Sequence, residues 1–211
     1  IALIVVCVLV FLWELSLGEQ TQIAIYQFGA IPAAVLGTQG LAPDIARIPA
    51  WLTVFTSMFL HGGWMHLIGN MLYLWIFGNN IEDAMGHVRF IIFYILCGIA
   101  AFAAHAIPAA DSTIPMVGAS GAISGILGAY ILLFPRAKVL ILLPLGIFIT
   151  TLRIPAVFVL AFWFLLQLYH SYGDNPDGAG IAWGAHIGGF IAGMLLLPLL
   201  KRRGFTPLQS T

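Results

Sequence analysis

Four polar side chains stand out from an otherwise apolar chain: Ser120 in VGASGAISGILGAY (117–130), His186 in AHIGG (185–189), and His66 and Asn70 four residues apart. A serine hydroxyl is a weak nucleophile at neutral pH and needs an adjacent base. Histidine can take that proton and return it to a leaving amine. On a helix, His66 and Asn70 would be neighbours on one face, where two side-chain donors could hold a developing oxyanion. Backbone amides opening a helix at Ser120 would add to the same effect. A second serine, Ser124, shares the face of Ser120 but lies about 6 Å further along the helix at 1.5 Å rise per residue. Glycines frame only the first, in Gly118-Ala119-Ser120-Gly121.

Taken singly, each residue also has a packing reading. Gly121, Gly125 and Gly128 form a small-residue stripe that lets helices approach, and serine in such a stripe commonly bonds a nearby carbonyl. A histidine within a membrane is a functional candidate but also a common helix-to-helix hydrogen bond. His66 and Asn70 are costly in lipid unless they face inward. The conjunction of nucleophile, base and two donors is what points to catalysis.

The elements that would position them follow from composition. Of 211 residues, 61% are hydrophobic and 8% charged, against roughly 25% charged in soluble domains. The chain is read as a polytopic, all-α membrane protein. A span needs about 20 apolar residues, and six segments qualify: 1–17, 58–80, 88–107, 117–134, 154–171 and 183–200. The chain opens at Ile1 inside an apolar run, so a preceding N-terminal segment is expected to be missing. The linker 18–50 is too broken to span and too apolar for plain solvent, which suggests an interfacial excursion. Segment 135–153 is interrupted by Pro144 and Gly146 and flanked by Arg136, Lys138 and Arg153. It is read as a re-entrant or surface-lying turn.

If that segment does not cross, Arg89, Arg136, Lys138, Arg153, Lys201, Arg202 and Arg203 share one side, and only Arg47 lies opposite. The positive-inside rule makes their side cytoplasmic. Spans 2, 4 and 6 then run in one direction, and His66, Ser120 and His186 fall at similar depth near the non-cytoplasmic end. Asp174 and Asp177 sit in a Gly/Pro loop and read as solvated. Cys7 and Cys97 lie in apolar runs and read as packing residues. Zero formal net charge, with no basic tract before residue 200, gives no sign of nucleic-acid binding.

The motifs together resemble the rhomboid intramembrane serine proteases over nearly the whole length. The family carries G-x-S-G on its fourth helix, here Gly118 to Gly121, and A-H-x-x-G on its sixth, here Ala185 to Gly189. Its second helix shows H-x-x-x-x-H-x-x-x-N, here His61, His66 and Asn70, followed by E-x-x-x-G, here Glu82 and Gly86. The resemblance implies one rhomboid-type membrane domain over 1–211 and a Ser120–His186 dyad without a third acid. It further implies oxyanion donors His66, Asn70 and the Ser120 amide, and structural roles for His61, Glu82 and Gly86.

No cofactor or metal is implied; the partners would be transmembrane protein substrates in the bilayer. The location would be a plasma or inner membrane, with the site open to the non-cytoplasmic side. Two positions depart from the pattern. Trp51-Leu52 replaces the Trp-Arg of the first outer loop, and Ser124 stands where well-known members carry a tyrosine that stacks on the histidine.

Other enzyme classes fit less well. His61 to His66 lacks the spacing and glutamate of H-E-x-x-H, no aspartate lies mid-span, and Ala122 breaks G-x-S-x-G. A transporter would need an internal repeat, and none is present. The non-enzymatic alternative is a rhomboid-like pseudoprotease that binds transmembrane clients, but such relatives typically lose the serine or the histidine.

Overall fold

The computed structural model describes residues 1–145, 148–173 and 180–206; Asp174 and Asp177 lie outside them. Apolar residues open the chain as α1 (Ala2–Ser16), and after a 3-10 turn the chain bends by 116° into α2 (Thr21–Phe28). The linker is built of this helix and two more short ones, α3 (Pro32–Leu36) and α4 (Ala50–Thr56), joined by turns. A two-way backbone bridge ties it down: Ala30 N–H donates to Met116 O at 3.0 Å, and Met116 N–H to Ala30 O at 2.8 Å. The strap thus grips the segment that leads into Ser120.

Next come α5 (Trp64–Met85) and α6 (His87–Ala106), joined at Gly86. Then follow α7 (Ser120–Leu133), α8 (Ala156–Gly173) and α9 (Trp183–Leu200). α5 begins six residues later than the apolar run suggested, because residues 57–59 form a 3-10 turn and 60–63 pass outside helical geometry.

Among the described residues, α6 and α9 are long and apolar enough to cross a membrane, and the bent α1–α2 pair could make a third span. Six spans are therefore more than length and composition support. α5 has the length, but His66, Asn70, Asn79, Asn80, Glu82 and Asp83 dilute its apolar character. The 14 residues of α7 cover only about 21 Å of a roughly 30 Å hydrocarbon core. α7 can be short because it is enclosed: every residue from Gly121 to Tyr130 is buried.

The fold is mostly helical, not purely so. Segment 135–153, read as a re-entrant or surface-lying turn, contains strands of an antiparallel hairpin, β1 (Lys138–Leu145) and β2 (Phe148–Pro155), in register from Lys138 opposite Pro155 to Leu145 opposite Phe148. Its run of Val, Leu, Ile and Thr suits a strand. Proline and glycine in the sequence rule out a helix interior without ruling out an edge or a turn.

Glycine sets how close the central helices come. A Cβ on Gly189 would strike Gly121 O, and one on Gly193 would strike Gly125 O, so α7 and α9 touch backbone to backbone. Gly125 also receives Cys97 of α6, and Gly188 receives Ala104. Cys7 and Cys97 are buried free thiols. α7, α9 and α6 thereby form the tightest part of the molecule, and Ser120 and His186 stand at its head.

Candidate active site

Ser120 opens α7 and His186 lies in the first turn of α9. Their approach is a product of the glycine seam, since Gly121 and Gly189 follow these two residues closely in sequence and are themselves in contact. Ser120 Oγ lies 2.9 Å from His186 Nε2, a hydrogen-bonding distance. Both line a cavity of about 660 Å³, with His66, Asn70, Ser124 and Trp163 also on its walls. The first backbone amides of a helix have no partner within it, and Ser120, the first residue of α7, lines this cavity.

His66 and Asn70 form the α5 wall. The His66 ring lies directly against Gly118: a Cβ there would come within 2.7 Å of its Cε1 and Nε2. Gly118 also has φ +124°, a conformation L side chains rarely adopt. Both constraints require glycine, which accounts for the first letter of the G-x-S-G motif. Gly118 N–H donates to Ser57 O at 2.8 Å and fixes the entry to α7. On the other side of the His66 ring, Gly62 N–H meets Nδ1 at 3.4 Å. Asn70 is buried, and among the described residues its Nδ2 has no hydrogen-bond partner. A buried donor without an acceptor is costly in a resting protein.

The remaining motif residues sit apart from the cavity. His61 is buried, its Nδ1 3.1 Å from Phe59 O, with its ring 5.2 Å from that of His66 in an edge-on arrangement. Glu82 pairs with the exposed His87 at 2.6 Å (Oε1 to Nδ1), and its carbonyl accepts from Gly86 N–H. Gly86 takes φ +83° at the sharp α5–α6 junction. The Arg202 guanidinium occupies the space that a Cβ would need there, while Arg202 N–H bonds Ala84 O. The Glu82–Gly86 element thus joins the ends of α5 and α9.

Two polar residues escaped the sequence reading. Gln167 of α8 is buried, and its Oε1 lies 2.8 Å from His186 Nδ1. Its signal was a lone amide inside the apolar segment 154–171. Glu14 is wholly buried near the end of α1, and its carboxylate accepts from His61 N–H at 3.1 and 3.3 Å. It was the one carboxylate within the apolar run 1–17.

The two departures from the family pattern also find their places. Ser124 Oγ donates to Ser120 O at 2.7 Å, the back-bond of a helical serine. Rings reach His186 from elsewhere than α7: Trp163 of α8 at 5.9 Å, and Trp183 of α9, the helix of His186 itself, edge-on at 6.1 Å. Trp51 is exposed and packs edge-on against Phe55.

Fold and site together define a helical membrane protein with a serine and a histidine hydrogen-bonded in the lining of a cavity. A family model described as "Rhomboid domain" matches residues 49–203, and the chain belongs to the rhomboid family, whose members are integral membrane proteins. It is 31% identical over 183 residues to Rhomboid protease GluP of Bacillus subtilis, covering 87% of this chain and 31% of that protein. It is 32% identical over 156 residues to Rhomboid protein 1, mitochondrial, of Saccharomyces cerevisiae, covering 68% and 40% respectively. Against Rhomboid-like protease 5 of Toxoplasma gondii it is 33% identical over 167 residues, covering 74% and 16%. The chain thus spans less than half the length of these relatives.

Proposed function

We propose that this chain is an intramembrane serine endopeptidase that cuts peptide bonds in or near transmembrane segments of other membrane proteins. One observation carries the reading: Ser120 Oγ is hydrogen-bonded to His186 Nε2 at 2.9 Å, in the lining of a cavity. In the acylation step His186 Nε2 accepts the Ser120 proton while Oγ attacks the scissile carbonyl carbon. The carbonyl oxygen becomes an oxyanion, met by the Ser120 amide, Asn70 Nδ2 and the His66 ring. Collapse expels the amine, which takes its proton from His186. Water then attacks the Ser120 ester, again with His186 as base, and restores the serine.

A substrate helix hides its carbonyls in its own hydrogen bonds, so the reacting segment has to unwind first. Helix-breaking residues near the cut and a small residue just before it are the expected substrate features. On this reading the site faces the non-cytoplasmic side, which the distribution of Lys and Arg supports. Some relatives carry mitochondrial or chloroplastic names, so a plasma membrane in particular has no support among them; the proposal keeps the sidedness alone. Tags beside Arg136 and after Arg203 are expected on one side of the membrane and a tag beside Gly180 on the other.

The direct test is cleavage of a single-pass transmembrane reporter in proteoliposomes by the wild type and by Ser120→Ala and His186→Ala. Cleavage by the wild type alone is expected. Reporter binding without cleavage by any of the three would favour the client-binding pseudoprotease.

A further inference from the structure

The resemblance implies a two-residue dyad, yet His186 has a second polar partner. Its Nδ1 lies 2.8 Å from Gln167 Oε1. An amide oxygen can only accept, so the proton of the neutral imidazole has to be on Nδ1 for this bond to exist. That leaves Nε2 bare and facing Ser120 Oγ at 2.9 Å, the tautomer a general base needs.

The amide itself is held the right way round. Gln167 Nε2 donates to Trp163 O, one turn back on α8, at 3.0 Å. A flipped amide would set oxygen against the Trp163 carbonyl and lose that bond, and its NH₂ could meet His186 only in the opposite tautomer, so the Trp163 bond selects the amide orientation that accepts from Nδ1–H. Gln167 is buried, 5% exposed, so water is a poor competitor for its oxygen. The Trp163 indole lies beside the imidazole at a 35° tilt and limits how far the ring can turn.

We infer that Gln167 is a positioning residue for the reaction, a neutral third member that locks His186 in its Nδ1–H tautomer. It fills from α8 the place that a carboxylate takes in Ser-His-Asp enzymes. Being uncharged, it orients the imidazole but gives less stabilisation to the imidazolium formed during acylation, and it avoids burying an anion in the membrane. The inference rests on the Ser120–His186 reading for its catalytic meaning, but not for the tautomer.

The test compares Gln167→Leu, which removes the acceptor, with Gln167→Glu, which keeps it. Both are made in the full chain in detergent or lipid, with the histidine rings ¹⁵N-labelled. In the wild type, ¹⁵N spectra at a pH where His186 is neutral are expected to show a protonated Nδ1 and a bare Nε2. Gln167→Leu should lose that preference and lower reporter turnover by about 10- to 100-fold through kcat. This is short of the roughly 10⁴-fold cost of losing the orienting group in Ser-His-Asp enzymes. Gln167→Glu should retain the tautomer and recover turnover above the Leu level.

A merely structural role predicts the reverse order, because Leu suits a buried apolar site and Glu adds a buried charge. Turnover for Leu equal to or above that of Glu, or a wild-type ring protonated on Nε2, would overturn the inference. Failure of the protease reading would look different: no reporter cleavage by any variant, with the tautomer still following Gln167.

Discussion

The two walls of the cavity are built on opposite principles. Along the α7–α9 wall the polar groups are satisfied: Ser120 bonds His186, His186 bonds Gln167, and Ser124 bonds its own helix. Along the α5 wall Asn70 Nδ2 is buried with no partner among the described residues. On the proposed reading, the first wall has its proton path ready in the resting protein. The second would hold a donor in reserve for charge that appears only in a transition state, where an interaction lowers the barrier without being spent on the ground state.

Breaking the first wall should have the largest effect. His186→Ala removes the base, which is expected to cost about 10²–10⁴-fold in turnover or more, while the protein remains folded and membrane-inserted. Circular dichroism and protease protection beside a turnover assay would check both halves of this expectation. Retained turnover in a folded variant would contradict it.

Spreading the same wall without touching its polar groups comes next. Gly189→Val places side-chain atoms where Gly121 O now lies, and overpacking of this kind costs about 1–3 kcal/mol. We expect a lower thermal midpoint and a loss of turnover. Gly40→Ala, where a Cβ meets open space, serves as the silent control. Equal stability of the two variants would remove the seam from the account.

The second wall should be softer. Loss of one oxyanion donor typically costs about 10²–10³-fold, but here the His66 ring, Asn70 and the Ser120 amide share the load. His66→Ala and Asn70→Ala should each fall short of that range, and the double variant should be worse than either. Unchanged turnover in all three would reduce the α5 wall to a structural one.

Smallest of all is Ser124→Ala. It removes a back-bond on one helix, the kind of hydrogen bond that contributes about 0.5–1.5 kcal/mol, so turnover should stay close to that of the wild type. Ser124→Tyr is the sharper probe. With Trp163 and Trp183 already beside His186 and residue 124 only 1% exposed, a tyrosine ring would have to take up space in the cavity that Ser124 lines, and turnover should fall.

What the sequence made legible follows the physical range of each signal. Ser120, His186, His66 and Asn70 were readable because polar groups on apolar helices need a reason to be there, and their spacings are local. Gly118 was readable as a motif letter, but its need for a left-handed backbone against the His66 ring appears only in three dimensions. Gln167 and Glu14 were missed because a lone polar residue in a span does not name its partner, and each partner lies on another element. The hairpin was missed for a different reason: an apolar run broken by proline and glycine excludes a helix without choosing between strand and turn. Six spans go beyond what helix length and composition support among the described residues, because an enclosed helix such as α7 need not be long enough to meet that measure.

The central claim is that Ser120, and not Ser124, is a nucleophile activated by His186. The most direct measurement is reaction of the membrane-embedded protein with a fluorophosphonate, followed by mass-spectrometric mapping of the modified residue. The account predicts a single adduct on Ser120, lost in Ser120→Ala, strongly reduced in His186→Ala and kept in Ser124→Ala. An adduct on Ser124, or none on the folded wild-type protein, would contradict it.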